Sequence, residues 1–199
     1  MEFEFKENEI KFERELSNLD ELVIEFTKIL EKQKIDYVII SGYIAILFGR
    51  SRNTEDVDLF IEEISFEKFN VFWKELYAKG FECIIESNPK EAYYGYLKNQ
   101  TPLRFAVKGT FIPNFELKFP KTGIDNYSLE NKVKVKLNNE ILYTSKMELQ
   151  IAYKLYLGSD KDIEDAVHLW QEFKNSLNKE LFKGFVKRLK VEDKIKELE

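Results

Sequence analysis

One segment restricts the fold more than any other: Tyr37 to Leu59, in which a short apolar run, a glycine, a brief helical stretch and a second apolar run follow in close order. Tyr37-Val38-Ile39-Ile40-Ser41 is β-branched-rich and bounded by Gly42, which predicts a buried strand over 37–41. Tyr43 to Phe48 predicts a short helix stopped by Gly49, and Glu55 to Glu62 a second strand. That strand carries Asp56 and Asp58. Side chains alternate across a strand, so these two carboxylates share one face while Val57 and Leu59 occupy the other.

Two acids held that close repel each other, and burying them is costly unless a cation compensates. A divalent metal is the usual resolution, and oxygen ligands suit magnesium or manganese. The rest of the composition agrees with oxygen ligation. Cys83 is the single cysteine and His168 the single histidine, so there is no internal disulfide, no cysteine-rich zinc site and no histidine cluster. Gly42, after a strand and before a helix, lets the backbone come close to a ligand, and the first N–H groups of that helix can face phosphates. Arg50 and Arg52 stand just upstream of the aspartates, where guanidinium groups can neutralise phosphate charge.

The remaining chain organises itself around this segment. Ser17-Asn18-Leu19-Asp20 predicts a capped helix with Leu19, Leu22, Val23, Phe26, Ile29 and Leu30 in one stripe. Ser65 caps a second helix bearing Phe66, Phe69, Phe72, Trp73, Leu76 and Tyr77. Strands are expected at 81–86, 103–108, 115–119, 132–137 and 141–143, and the polar, tyrosine-rich stretch 87–101 as an irregular loop or extra hairpin. From Ser145 the chain turns helical: Ser145-Lys146-Met147-Glu148 reads as a capping box, Ser159 or Asp160 caps the next helix, and Ser176 a third. The expected division is 1–144, a mixed α/β domain, and 145–199, a helical region. Apolar residues make up 44% of the 199, which is enough for a substantial core. No apolar run approaches the roughly 18 residues of a membrane span. Glu2 and Phe3 open the chain in place of a basic, then apolar, leader, so the expected compartment is the cytoplasm. A net charge of −5 argues against a broad nucleic-acid surface.

The ordered set Gly42, Ala45, Arg52, Thr54, Asp56 and Asp58 resembles the nucleotidyltransferase superfamily, nearest the AbiEii-like toxin branch, whose members read Gly-Gly-x-Ala and then Arg-x-Thr-x-Asp-Ile-Asp. Ser41 stands at the first motif glycine, where its hydroxyl can still donate to phosphate, and Tyr43 follows where a small residue is usual. The resemblance implies an α/β (α+β) nucleotidyltransferase-like mixed sheet flanked by helices, with a C-terminal helical bundle. It also implies transfer of a nucleoside monophosphate from an NTP to an RNA, protein or small-molecule acceptor, and, for a toxin, an antitoxin partner. In this reading Ser41, Gly42, Arg50, Arg52 and Thr54 contact the NTP, while Asp56 and Asp58 hold Mg2+ or Mn2+. A third carboxylate is expected from a later strand: in Phe115-Glu116-Leu117-Lys118-Phe119 the alternation sets Glu116 and Lys118 opposite the core, so Glu116 is the candidate metal ligand and general base. A second block, Lys154 followed by Lys161-Asp162-Ile163-Glu164-Asp165, is similar to the lysine and Lys-Asp-x-x-Asp helices of the same branch. It implies that Lys154 reaches the phosphates and Asp165 orients it. Lys161 and Asp162 read more simply as a helix start. The alternative to an enzyme is an inactive member of the fold that keeps nucleotide binding or protein interaction.

Overall fold

Residues 2–198 are described by the computed structural model. In chain order they form β1 (Glu4–Lys6), β2 (Glu9–Phe12), α1 (Asn18–Lys32), β3 (Tyr37–Ile40), α2 (Gly42–Leu47), β4 (Asp56–Ile61), α3 (Phe66–Ala78), β5 (Phe81–Cys83) and α4 (Pro89–Glu91). There follow β6 (Leu103–Val107), β7 (Asn114–Lys118), α5 (Gly123–Glu130), β8 (Val133–Leu137), β9 (Glu140–Thr144), α6 (Met147–Leu157), α7 (Asp160–Phe173) and α8 (Lys179–Leu189). The strands join one mixed sheet of order β1-β2-β8-β9-β3-β4-β7-β6-β5. β4 lies at its working centre, antiparallel to β3 and parallel to β7. Every described element after Thr144 is helical.

The apolar stripes explain the layering. Val23, Phe26, Ile29 and Leu30 of α1 and Phe69, Phe72, Trp73 and Leu76 of α3 are buried against the sheet. Phe26 stacks on Phe115 of β7, with ring centroids 4.0 Å apart and planes 9° from parallel. Burying one such ring contributes about 1.5–3 kcal/mol, and here it also locks the pleat of β7. With Phe115 and Leu117 turned into the core, Glu116 and Lys118 must face the other way. Tyr43 is fully buried and donates its hydroxyl to Asp20 at 2.7 Å, so its bulk points into the core and not into the turn beside Gly42. Asp20 also receives Arg14 through both oxygens, at 2.6 and 2.8 Å, and completes the capping box with Ser17.

Several expectations need correction. The sheet begins earlier than the first predicted helix, with β1 and β2; β2 has the right alternation but is only four residues long. β8 lies inside the sheet between β2, which pairs with it in parallel, and β9; Lys134 and Lys136 meet Glu9 of β2, and Lys132 meets Asp36. The stretch 87–101 is neither loop nor hairpin: after α4 it forms a π-helical turn over Ala92–Tyr96 and a 3-10 turn over Leu97–Asn99. β5 ends at Cys83, and α5 has no apolar stripe to announce it. The capping box at Ser145 does not form; Ser145 donates instead to Gln150 at 3.0 Å. α8 is capped by Asn178 and not by Ser176.

Candidate active site

β3 and β4 deliver the glycine turn and the acidic pair to the same place. Their antiparallel register sets Ile40 directly opposite Asp58, so the last residue of β3 before the turn is the neighbour of the second aspartate. Val57 and Leu59 are fully buried, and Asp56 and Asp58 are partly exposed on the opposite face. Thr54 fixes the approach into β4 by donating its hydroxyl to the Asp56 carbonyl at 2.9 Å. A cleft of about 240 Å³ opens there, lined among others by Ser41, Asp58, Phe60, Lys118, Gln150 and Tyr153.

The turn itself is strained. Ser41 has φ 65° and ψ −136°, a conformation that glycine adopts readily and serine does not. Gln150 of α6 holds it from two sides: its Nε2 donates to the Ser41 carbonyl at 2.9 Å, and its Oε1 accepts from the Ser41 N–H at 3.4 Å. At Gly42 the reason for glycine is a close approach. A Cβ there would sit 2.7 Å from Nη2 of Arg52. The guanidinium therefore lies directly on the turn. The helix that follows, α2, has only six residues, so its dipole is small and the turn's own amides and Arg52 carry most of any anion affinity.

The carboxylates of the sheet face do not stand alone. In the β4–β7 pairing Asp58 is in register with Glu116, and in β6–β7 Glu116 is in register with Arg104. Lys118 Nζ lies 3.0 Å from Asp58 Oδ1 and 3.1 Å from Glu116 Oε1. Arg104 takes the other oxygen of Glu116, from Nε at 3.2 Å and Nη2 at 3.1 Å. Burial pushes the Asp58 carboxyl above the usual range, against the pull of Lys118, and Glu116 and Asp56 add repulsion in the same direction. Burial also works against the Glu116 charge, but Lys118 and Arg104 outweigh it and hold that carboxyl below the usual range. The Lys118 ammonium is raised because its two carboxylates outweigh its desolvation. Among the described residues no group of three or more His, Cys, Asp or Glu is clustered to hold a metal ion, and the Lys118 ammonium lies between Asp58 and Glu116.

The second sequence block sits on the other side of the turn. Asp165, fully buried, accepts from Arg50 and Arg52 and lies 2.9 Å from Lys154 Nζ. Lys154 is 2% exposed and also donates to Asp162 at 2.7 Å, while Glu164 completes the set with Arg50. Burial works against the Asp162 charge, yet hydrogen bonds from Lys154 and Ser159 hold its carboxyl below the usual range. Ser159 caps α7 by accepting from the Asp162 N–H at 3.2 Å and donates to the Asp162 carboxylate, which sits in the first turn as its place at a helix start predicts and at the same time binds Lys154. His168 is structural in position, with Nε2 3.0 Å from the Phe48 carbonyl.

Sequence reasoning did not single out Lys118, Arg104 or Gln150. The first could have been found, since it shares a strand face with Glu116; the other two depend on pairings across the sheet and between β3 and α6 that no local pattern reports.

No protein-family profile and no curated protein matches this chain in sequence. Solved structures do. An antigenic nucleotidyltransferase-like protein from Paracoccidioides brasiliensis superposes with a TM-score of 0.53 at 18% identity, over 89% of this chain and 90% of that one. The lincomycin-bound lincosamide antibiotic adenylyltransferase LnuA gives 0.52 at 11% identity, over 78% and 98%. ANT(2")-Ia in complex with adenylyl-2"-tobramycin gives 0.53 at 12% identity, over 86% and 99%. The fold is nucleotidyltransferase-like: a mixed sheet flanked by helices, with a C-terminal helical bundle. Among the described residues no helix is long and apolar enough to cross a membrane.

Proposed function

We propose that this chain is a divalent-metal-dependent nucleotidyltransferase that moves a nucleoside monophosphate from an NTP to an acceptor and releases pyrophosphate. The observation that carries this reading is the direct pairing of Ile40 with Asp58, which brings the glycine turn beside the second aspartate, with Ser41 and Asp58 both lining one cleft. Asp56 and Asp58 are adjacent hard-oxygen donors on one face, a set that fits magnesium or manganese completed by water and phosphate oxygens. Such an ion supplies charge neutralisation for the triphosphate and alignment of the attacking oxygen.

The chain's own residues account for the rest. The Ser41–Gly42 turn admits phosphates, Gln150 keeps that turn in its strained shape, and Arg52 offers a guanidinium against it. Asp165 orients Arg50, Arg52 and Lys154 on the phosphate side. Glu116 acts as base only once Lys118 and Arg104 release its oxygens. In this arrangement 1–144 is the catalytic domain and 145–199 the helical wall that fixes the turn.

The Arg52-x-Thr54-x-Asp56-x-Asp58 run, with Lys154 and Asp165, supports the finer assignment to the AbiEii-like branch: a cytoplasmic toxin modifying RNA, protein or a small molecule, restrained by an antitoxin. A second reading, a non-catalytic nucleotide-binding or interaction module, is favoured by one observation, the ammonium of Lys118 between Asp58 and Glu116. Incubating the protein and magnesium with each labelled NTP, in the presence of total RNA, tRNA or no added acceptor, separates the two. The enzyme reading expects label transfer with pyrophosphate release that Asp58→Ala abolishes; a module expects bound but unconverted NTP.

A further inference from the structure

Lys118 reaches the centre of the acidic face from a fixed base. Phe115 and Leu117 anchor β7 in the core, and the parallel register with β4 leaves Asp58 and Glu116 side by side on the cleft face. The ammonium sits between them at 3.0 and 3.1 Å, and lies 5.7 Å from the centroid of Phe60, the next residue of β4 on that face. Arg104 occupies the far oxygen of Glu116. Three carboxylates, Asp56, Asp58 and Glu116, thus face two side-chain cations, Lys118 and Arg104. The balance is one negative charge. A divalent ion that bridged Asp58 and Glu116 would have to expel an ammonium already satisfied by both; one held by Asp56 and Asp58 would not.

We propose that Lys118 is the resident cation of the Asp58–Glu116 pair, standing in for a second divalent ion, so that this chain takes a single divalent ion, on the Asp56–Asp58 side. The inference rests on the reading of Asp56 and Asp58 as cation ligands. The tethered ammonium neutralises Asp58 and Glu116 in the nucleotide-free site, while Arg104 keeps Glu116 turned toward it.

Mn2+ alone is the probe, with free Mn2+ followed by electron paramagnetic resonance during titration of the full chain. Wild type should bind one Mn2+. Lys118→Met should bind a second ion, or the first at least about tenfold more tightly, because a positive charge within a few ångströms of the ion has been removed. Lys118→Arg, which keeps the charge, should match wild type, and Asp58→Asn should lose binding. Melting curves report whether each variant is folded; if Lys118→Met is not, Lys118→Gln takes its place, with the same expectation. A charge-removing variant that binds Mn2+ as wild type does, while Asp58→Asn loses it, overturns the role of Lys118 alone. Two ions on wild type overturn it as well. If Asp58→Asn binds Mn2+ unchanged, the metal reading of the acidic pair falls and this inference falls with it.

Discussion

Two charged clusters flank the Ser41–Gly42 turn, built from the same kinds of side chain but in opposite states. On the helical side, Arg50, Arg52 and Lys154 meet Asp162, Glu164 and Asp165, three cations against three carboxylates, with Asp165 and Lys154 out of contact with solvent. On the sheet side, Asp58 and Lys118 line an open cleft, their side chains 15% and 24% exposed, and acids outnumber cations by one once Asp56 is included. The buried centre of the balanced set works as a staple, since removing Asp165 strands the cations that share it, whereas Glu164 is mostly exposed and Arg50 keeps Asp165 without it. An unbalanced set in a cleft is where an external cation or anion can gain most. On the proposed reading the first cluster holds the phosphate-side cations in place and the second meets the metal, with Arg52 common to both because it touches the turn and Asp165 at once.

The strongest way to break this contrast is to remove the centre of the staple. Asp165→Ala leaves Arg50, Arg52 and Lys154 without their shared acceptor and should cost about 3–5 kcal/mol in denaturant unfolding. If the loss is no larger than for a solvated acid such as Glu180→Ala, the cluster is not a staple. Removing Gln150 should cost less: Gln150→Leu strands the Ser41 carbonyl and N–H and is expected to destabilise by about 1–3 kcal/mol. It should also weaken NTP binding, because the turn is no longer held. Ser41→Gly works the other way. It relieves a positive-φ serine and should add about 1 kcal/mol, the strain recovered less the chain entropy that glycine brings.

Acid gives a subtler readout. The folded-state pKa of Asp162 is depressed, so its contribution to stability is fully present above the unfolded value of about 3.9 and disappears as pH falls through the lower folded value. The melting difference between wild type and Asp162→Asn should therefore be constant from pH 7 down to about pH 5 and shrink below about pH 4. For Asp58, whose pKa is raised, the sign is reversed: its ionisation as pH rises through the acid range subtracts from stability. An Asp162 difference that persists at pH 3 would contradict the ion-pair account of α6 and α7.

Much of the fold was legible because the signals were local. The β3 run, the glycine turn and the alternation Asp56-Val57-Asp58-Leu59 need only period 2 and a breaker, and the stripes of α1 and α3 only period 3.6. The second block was legible as a motif but not in its state, since burial of Lys154 depends on α6 packing against α7. Glu116 was found by alternation, yet its partners were not: Arg104 and Asp58 reach it through strand register, and a register spanning 58 residues leaves no trace in composition. The Ser145 capping box failed for a tertiary reason, because Ser145 and Gln150 are recruited to hold the turn. Short β1 and β2 and the polar α5 carry too few periodic residues to stand out.

Thermal melting with ATP, CTP, GTP or UTP, with and without magnesium, tests the division of labour most directly. If the sheet-side cleft binds the NTP, stabilisation should need both nucleotide and magnesium, reach about 2.7 kcal/mol at a hundred times the dissociation constant, and vanish in Asp58→Asn while surviving in Glu164→Gln. A shift that Asp58→Asn leaves intact, or no shift with any of the four nucleotides, would contradict it.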